Sequence, residues 1–322
     1  MKPATTLLIL AAVVLALTGS FTAPAHALLT RTWVSGVGND ANPCTRTAPC
    51  ASFATAISNT AAGGQIDCID AGSFSAVTIT KSIIISCEAG TAGVLAAGSS
   101  GITVNVASTD IVTLRGLDIE GPPPGSGFGG SAGIEFNNAG TLRVEKCLIR
   151  ALNADSFGFG ILFRPNGPAS LFVADTVVSD NGAAGNGGNI LLAATASASA
   201  NVSLERVQMT GGSFGLTVDG TFTTGTVQVS VVDSLAAGAQ FNGFDARGRA
   251  KLLINRSTSS NNSDVGVRAN GSNVQLYIGN SVVSGNGTGV FGVNGASLLS
   301  YQNNLIDQNT SNGTPLSPVA VH

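Results

Sequence analysis

The chain has 322 residues, a formal net charge of −3 at pH 7, and only 10% charged and 5% aromatic residues. This composition lacks the basic patch and aromatic platforms of a nucleic-acid-binding protein. Mean hydropathy is +0.33, but beyond residue 27 Gly, Ser, Thr or Asn interrupts every apolar run before it reaches the about 20 residues that span a bilayer. We therefore expect neither a nucleic-acid partner nor a membrane span in the mature chain.

The first 27 residues have the pattern of a secretory signal peptide. Lys2 precedes an apolar run over residues 7–17, and residues 25–27, Ala-His-Ala, have the small-x-small form of a cleavage site. An uncleaved membrane anchor is the alternative, although the run is shorter than a span. Cleavage would start the mature chain near Leu28 and leave His322 as its one histidine, so no internal histidine base or ligand is expected. We predict secretion to the periplasm or the extracellular space.

Cys44 and Cys50 lie six positions apart near the start of the mature chain. Export places them in an oxidising compartment, where cysteines are usually bridged. A metal site would need two more ligands, and none stands nearby; a redox site would use Cys-x-x-Cys. We predict a Cys44–Cys50 disulfide in an N-terminal cap over residues 28–66. This cap includes a short helix between Ala48 and Ala62, with Phe53, Ala54, Ile57 and Ala61 on one face.

The other three cysteines follow the cap. Cys68 and Cys87 each lie in a strand-like segment, and in neighbouring coils in register their Cα atoms would be about 4.8 Å apart, within the range of a disulfide. We predict that they pair. Cys147 is predicted to be unpaired, because the equivalent positions of the neighbouring coils carry Leu117 and Thr176; dimerisation through Cys147 is the alternative.

A repeat dominates the rest of the chain. Its best copies are LRVEKCLI (142–149), LFVADTVV (171–178), VSLERVQM (202–209), LYIGNSVV (276–283) and LSYQNNLI (299–306). With looser copies included, the first apolar residue of each copy, its anchor, falls at positions 112, 142, 171, 202, 227, 252, 276 and 299. Spacings of 23 to 31 residues are typical of a solenoid coil.

The alternation of apolar and polar residues within each copy indicates strands with one buried face, separated by Gly, Asn, Ser and Asp turns. A second apolar pair follows the late anchors by about 13 residues, so each coil has at least two strands. We predict an all-β solenoid over residues 67–311 and a flexible tail over 312–322. Ten residues after their anchors lie Asn181, Asn262, Asn286 and Asn309, which suit either a hydrogen-bonded ladder or left-handed turns.

These features resemble the right-handed parallel β-helix proteins of the pectin-lyase-like superfamily. The resemblance covers nearly all of the mature chain, and the N-terminal stretch with GNDANPC (38–44) and QIDCIDAGSF (65–74) is similar to the opening of many secreted members. It implies a single-stranded right-handed parallel β-helix. Lyases of this fold use carboxylate-bound calcium and a basic side chain, and hydrolases use clustered aspartates with a histidine and a lysine; this sequence has no Asp-Asp pair, no Arg-Ile-Lys and no internal histidine.

Carboxylates and bases can also converge when coils stack. Three residues after successive anchors lie Arg115, Glu145, Ala174 and Glu205, and one residue after them lie Thr113, Arg143, Phe172 and Ser203. Lys146 and Arg206 adjoin this cluster. We interpret Arg115, Arg143, Glu145, Phe172 and Glu205 as a candidate glycan-binding face, with ordinary cross-coil ion pairs as the alternative.

Two further segments are weaker candidates. The Gly/Pro-rich insertion at 121–133 either borders a binding groove or forms a disordered surface loop, and the basic segment 245–256 either binds acidic glycan or divides between a turn and a strand. The sequence favours an exported, non-catalytic protein that presents a repetitive surface to polysaccharide or a cell-surface partner, without cofactor or metal. The alternative is a divergent polysaccharide lyase or glycoside hydrolase that uses Arg143 and Glu145.

Overall fold

The computed structural model describes residues 27–320 except 89, 124, 127, 128, 154–157 and 184, so nearly all of the predicted signal peptide and His322 lie outside the described residues. The described chain winds into a right-handed parallel β-helix, the fold that the sequence predicts, and this β-helix has about ten coils. Each coil contributes strands to three parallel sheets, which we number in the order in which the chain enters them. Within the described residues, no helix has the length and apolarity needed to cross a membrane.

Sheet 1 has twelve strands: β1 (Leu29–Val34), β2 (Thr60–Cys68), β5 (Ile83–Ser86), β8 (Ile111–Arg115), β11 (Gly140–Glu145), β14 (Ala169–Ala174), β17 (Ala200–Glu205), β20 (Val227–Val232), β23 (Ala250–Asn255), β26 (Gln275–Gly279), β29 (Ser297–Ser300) and β32 (Ser317–Pro318). Sheet 2 has ten: β3 (Gly72–Ser73), β6 (Ala92–Leu95), β9 (Leu117–Glu120), β12 (Leu148–Arg150), β15 (Val177–Ser179), β18 (Gln208–Thr210), β21 (Leu235–Ala237), β24 (Thr258–Ser260), β27 (Val282–Ser284) and β30 (Leu305–Asp307). Sheet 3 also has ten: β4 (Val77–Ile79), β7 (Ile102–Val104), β10 (Ala132–Phe136), β13 (Phe159–Phe163), β16 (Gly188–Leu192), β19 (Leu216–Gly220), β22 (Phe244–Gly248), β25 (Val265–Asn270), β28 (Thr288–Val293) and β31 (Ser311–Gly313).

The strands of sheet 1 stack the predicted anchors directly over one another. Leu142 pairs with Val112 on one side and with Leu171 on the other, and all three side chains are fully buried. Because successive residues of a strand point to opposite faces, this stacking puts one apolar column inside the solenoid and a polar column outside it. The core is therefore a continuous stack of apolar rungs along the helix axis.

Two of the predicted anchors were wrong. Val229, not Val227, pairs with both Val202 and Leu252. The last anchor is Leu298, which pairs with Leu276, and not Leu299. The first error keeps the same face of the strand, whereas the second moves the residues of β29 to the opposite face. The second strand of that copy, β30, keeps the predicted register, since Ile306 pairs with Val283.

A single helix in the described chain, α1 (Phe53–Asn59), lies at the N-terminal end of the solenoid. The hydroxyl oxygen of Ser52 accepts a hydrogen bond from the Thr55 N–H at 3.2 Å and so caps the helix. Phe53 and Ala56 are the buried residues of α1, whereas Ala54, which we predicted on the buried face, is exposed. Ala61, which we predicted on the same helical face, lies beyond the helix in β2. The short helix itself packs on the first coils: the Phe53 ring lies 5.1 Å from that of Phe74.

The cysteines pair as predicted. Disulfides join Cys44 to Cys50 and Cys68 to Cys87, with a Cα–Cα distance of 4.7 Å in each pair. Cys147 is a free, buried thiol, and burial raises its pKa to about 11. The two disulfides therefore staple the first coils and the loop that precedes α1.

Three of the four aligned asparagines form a hydrogen-bonded ladder, the first of the two predicted alternatives. The side-chain amide of Asn262 donates to Asn286 Oδ1 at 2.9 Å, and that of Asn286 donates to Asn309 Oδ1 at the same distance. Asn181 is separate from this ladder: its side chain bonds to Asn189, in the same coil. The ladder runs along the corner between sheets 2 and 3. Its side chains hydrogen-bond to backbone groups that are buried there and out of reach of water.

A second ladder follows the corner between sheets 1 and 2. From β8 to β26, the residue directly after each sheet 1 strand has a left-handed backbone, and in five successive coils of this stretch its charge alternates. This corner ladder consists of Lys146, Asp175, Arg206, Asp233 and Arg256, with φ between 47° and 53°. Asp175 bonds to Arg206 Nε at 2.6 Å, and Asp233 to Arg256 Nε at 2.8 Å. Lys146 bonds to Glu88 at 2.7 Å.

Candidate functional site

The structure places the five predicted site residues on the outward face of sheet 1. Arg115 pairs in register with Glu145, and Arg143 pairs with Phe172. Glu205 occupies the same column as Glu145, with Ala174 between them. The stacking that brings these residues together was thus predicted from the anchors alone.

Their side chains do not form one cluster. Arg115 and Glu145 bond to each other, with Nη2 and Oε2 2.5 Å apart. Glu205 bonds to Arg206 of the corner ladder. The guanidinium of Arg143 instead lies 4.6 Å from the centre of the Phe172 ring, in a cation–π contact. The two carboxylates are therefore neutralised by ion pairs. The Arg143–Phe172 pair is the part of the predicted face that is not engaged in an ion pair.

Phe172 lies at one end of an open groove of about 450 Å³ that runs along the same face towards the C-terminus. The outward residues that line it are Phe172, Asn201, Ser203, Gln228, Ser230, Lys251, Leu253, Gln275, Tyr277 and Tyr301. They come from five successive coils of sheet 1 and from the residue after β29. The groove is therefore built by the repeat itself, with one or two side chains from each coil.

Two parallel columns make the floor of this groove. One column consists of Asn201, Gln228, Lys251 and Gln275. The other consists of Phe172, Ser203, Ser230, Leu253 and Tyr277. Since neighbouring strands lie about 4.8 Å apart, the first column repeats a hydrogen-bonding group at about that interval, and the four coil steps between Phe172 and Tyr277 span about 19 Å.

The C-terminal end of the groove depends on a glycine. A side chain at Gly279 would place its Cβ 2.8 Å from the ring of Tyr301, which lies in the next coil. The bare backbone of Gly279 therefore gives Tyr301 the space to lie beside Tyr277. Two tyrosine rings close the groove at this end, and the Arg143–Phe172 pair closes it at the other.

The charge of the groove is positive. Lys251 lies in its floor and Arg143 lies beside it against the Phe172 ring, and neither forms an ion pair within the described part of the chain. Among the described residues, the lining contains no carboxylate. A smaller cavity of about 260 Å³ adjoins Lys251 and adds Arg249 on the side of sheet 3. An anionic group in the groove would therefore meet unneutralised cations.

Sequence reasoning missed most of this groove, since it followed charge along the first four coils and ended where the carboxylates end. Tyr277 occupies the same column as Arg143 and Phe172, so extension of that column would have found it. A composition signal was also present: the chain has one tryptophan and two tyrosines. Trp33, Tyr277 and Tyr301 all lie on the outward face of sheet 1.

The two weaker candidate segments lie elsewhere. The segment 121–133 connects sheet 2 to sheet 3, and its described residues do not line the groove. The basic segment 245–256 divides among several faces: Arg247 pairs with Asp219 on sheet 3, Arg256 belongs to the corner ladder, and Lys251 lies in the groove. Lys251 is thus the residue that this segment contributes to the site.

The fold and the groove together define a parallel β-helix protein with a polar outward groove flanked by aromatic rings. A crystal structure of the pectate lyase Pel9A is similar to the chain, with a TM-score of 0.54 and 13% sequence identity over 91% of this chain and 80% of that chain. This likeness confirms the right-handed parallel β-helix fold that the sequence predicted. No protein-family model and no curated protein sequence matches the chain. Within the described residues, no group of three or more His, Cys, Asp or Glu side chains is arranged to hold a metal ion.

Proposed function

We propose that the protein binds an acidic polysaccharide in the groove of sheet 1 without cleaving it. The observation that carries this proposal is the composition of the groove: amide and hydroxyl columns between two aromatic ends, with unpaired cations and no carboxylate among the described lining residues. Amides and hydroxyls hydrogen-bond to sugar hydroxyl groups, and aromatic rings provide a flat apolar surface for a sugar ring.

The direction of the ligand follows from the same geometry. The columns run along the helix axis and repeat at about 4.8 Å, so an extended polymer parallel to the axis meets equivalent groups at each step. Lys251 stands near the middle of the groove and Arg143 near its edge, where each would attract a carboxylate or sulfate of the polymer. A compact ligand would use a small part of this surface.

The lining also supports binding rather than hydrolysis. Glycoside hydrolysis generally requires two carboxyl groups that flank the scissile bond. The nearest carboxylates, Glu145 and Glu205, bond to Arg115 and Arg206 beside the groove. We therefore place Glu145 with the architecture of the face and Arg143, with Phe172, in the binding site.

The experiment is a binding screen of the purified mature protein against plant and microbial polysaccharides. It includes polygalacturonate and its methyl ester, which share a backbone and differ in charge. We expect binding to an acidic polymer, at least tenfold weaker binding to its neutral form, and no reducing ends or unsaturated products. Release of products would contradict the non-catalytic part of the proposal. If the protein bound none of the polymers, the whole proposal would be contradicted.

Variants locate the site. Tyr277→Ala should weaken binding roughly tenfold, which corresponds to about 1.4 kcal/mol, because it removes one of the two rings at the C-terminal end of the groove. Phe222→Ala is the matched control, since Phe222 is 70% exposed but lies outside the groove. Lys251→Gln should reduce the preference for the acidic polymer, and Lys251→Arg should retain it.

We further propose that the protein acts outside the cytosol. Two disulfides in the first coils support this location, because disulfides persist in oxidising compartments. N-terminal sequencing of the exported protein should show a mature chain that begins near Leu28. Recovery of the protein in the cytosol with reduced Cys68 and Cys87 would contradict the proposal.

A further inference from the structure

A second cleft lies on the same face of sheet 1, at its N-terminal end. It has a volume of about 330 Å³ and is lined by Arg31, Trp33, Arg46, Asp67, Cys68 and Ile69. Trp33 belongs to β1, the first strand of the sheet, and pairs with Asp67 of β2. The order of strands in the sheet puts five coil steps, about 24 Å, between β1 and β14, the strand that carries Phe172.

The tryptophan in this cleft is held in place. Its backbone N–H donates to the carbonyl oxygen of Cys44 at 2.9 Å, and its backbone carbonyl accepts from the N–H of Cys50 at 3.0 Å. The Cys44–Cys50 disulfide closes the loop that provides both partners. The guanidinium of Arg31 lies 5.6 Å from the centre of the Trp33 ring and fixes the ring from one side. Trp33 is therefore a preorganised aromatic surface.

The cleft carries one unneutralised positive charge. Arg31 bonds to Asp67, so these two charges compensate each other. Arg46 is exposed on the disulfide-closed loop and forms no ion pair within the described part of the chain. A rigid aromatic surface beside a free guanidinium fits a ring that bears a carboxylate or sulfate, because the ring packs on the indole while the fork of Arg46 binds the acidic group.

We propose that the Trp33–Arg46 cleft is a second binding site for an acidic sugar residue of the polysaccharide that occupies the groove. This inference rests on the proposed function. A polymer along the helix axis would reach from Trp33 to Tyr277, nine coil steps or about 43 Å away. Since both sites lie on one rigid sheet, binding at one raises the effective concentration of the polymer at the other. Affinity should therefore rise steeply once the chain spans both sites.

Trp33 provides its own readout, because it is the one tryptophan of the chain. Its fluorescence reports on the N-terminal cleft and on no other site. Short acidic oligogalacturonates, too short to span both sites, should change the emission of the wild-type protein and of the Tyr277→Ala variant to the same extent. Arg46→Gln should abolish this change, while methyl-esterified oligomers should leave the emission unaffected in every variant.

Calorimetry with a length series completes the test. We expect long oligogalacturonates to bind the wild-type protein at least tenfold more tightly than short ones, and Arg46→Gln to remove this gain while leaving the affinity of short oligomers for the groove unchanged. Lys251→Gln is the reciprocal control, which should weaken the groove and preserve the fluorescence response.

Each failure has a distinct meaning. Unchanged tryptophan emission with intact groove binding would overturn the second site and leave the proposed function standing. An emission change that persists in Arg46→Gln would overturn the role of that arginine and with it the proposed site. Failure of oligomers of every length to bind, by either measurement, would overturn the second site together with an acidic-polysaccharide function of the groove.

Discussion

At the scale of single residues, the outward face of sheet 1 carries two kinds of charged side chain: those paired with an opposite charge and those without such a partner. Arg115 and Glu145 are adjacent in register and bond to each other. Arg143, two residues before Glu145 on the same strand, has no carboxylate partner in the described chain and stacks on Phe172 instead. Sequence alone could not distinguish the two cases, since both arginines follow an anchor and point outward.

Glu145→Gln tests this separation. Both partners of the ion pair are partly exposed, so we expect the free energy of unfolding to fall by at most about 1 kcal/mol, and polysaccharide binding to stay within twofold of wild type. Arg143→Gln is the comparison variant and should weaken binding without a larger loss of stability. Urea unfolding and calorimetric titration measure the two effects. A loss of binding in Glu145→Gln alone would return Glu145 to the site.

Sheet 3 carries two carboxylates that are almost fully buried. Asp245 lies 3.4 Å from Arg268, and Asp219 lies 3.0 Å from Arg247. One carboxylate oxygen of Asp245 is buried without a hydrogen-bond partner in the described chain. Burial raises the pKa of Asp245, against the opposing effect of the two arginines. The ionised form of this carboxylate is therefore less favourable in the folded protein than in the unfolded chain.

The sign of the resulting pH dependence can be tested with Asp245→Asn. Because the folded pKa lies above the unfolded value of about 3.9, the stabilising contribution of wild-type Asp245 is complete below the unfolded pKa and is lost as pH rises through the folded pKa. The stability of Asp245→Asn relative to wild type should therefore increase from acidic to neutral pH. Guanidinium unfolding at a series of pH values gives this slope.

Asp110→Asn is the control of opposite sign. The hydroxyl of Ser82 donates to Asp110 at 2.6 Å, and this bond, with that from the Ala107 N–H, lowers the pKa of Asp110. Its contribution is present above the unfolded pKa and is lost as pH falls through the folded pKa. Asp110→Asn should therefore lose stability relative to wild type as pH rises. Equal slopes for the two variants would refute the assignment.

At the scale of elements, the asparagine ladder links one coil to the next. Asn286 accepts from the backbone N–H and the side-chain amide of Asn262, and its own amide donates to Asn309. Asn262 and Asn286 are buried. Removal of one rung therefore leaves buried polar groups without partners, which costs more than the lost hydrogen bond alone.

Asn286→Ala should accordingly lower the free energy of unfolding by about 1–3 kcal/mol for each buried polar group left unpaired. Asn303→Ala is the matched control, since Asn303 and Asn280 hydrogen-bond to each other on the exposed surface, where water can replace either side chain. We expect a smaller loss there. Thermal and urea unfolding of the two variants compare them directly, and similar losses would show that burial does not set the strength of the ladder.

The last coils show where the sequence stops predicting the register of the strands. The anchors from Val112 to Val202 predicted their strands and register correctly, because apolar alternation leaves one way to bury the apolar face. Near the C-terminus LLS offers two adjacent apolar residues, and the choice of Leu299 over Leu298 turned Tyr301 inward. The one-residue error hid an aromatic residue of the groove. The groove forms only when several coils stack in register, so no local sequence motif predicts it.

At the scale of the whole molecule, the solenoid is stapled at its N-terminal end. Both disulfides lie in the first coils, whereas the last described strands, β31 and β32, are exposed along their length. In a solenoid each coil contacts its neighbours alone, so a local change in stability stays local. We expect slow hydrogen exchange in β2 and β5 and fast exchange in β31 and β32.

The double variant Cys68→Ala/Cys87→Ala should lose about 3 kcal/mol of stability, the value that loop-closure entropy gives for a loop of about this length. Hydrogen exchange measured by mass spectrometry should accelerate in β1, β2 and β5 and remain unchanged in β23 and β26. Cys147→Ala, which removes a buried thiol from a middle coil, should accelerate exchange around β12 instead. Uniform acceleration over all coils in either variant would show that the solenoid unfolds as one unit.

The corner ladder restricts how this chain can change in length. Its charges alternate from Lys146 through Asp175 and Arg206 to Asp233 and Arg256, so each residue has neighbours of opposite sign. Loss of the coil that carries Asp175 would set Lys146 directly beside Arg206, and like charges in adjacent strands repel. Loss or duplication of two coils together preserves the alternation. Between Lys146 and Arg256, this stretch of the molecule therefore gains or loses internal coils without repulsion only in pairs.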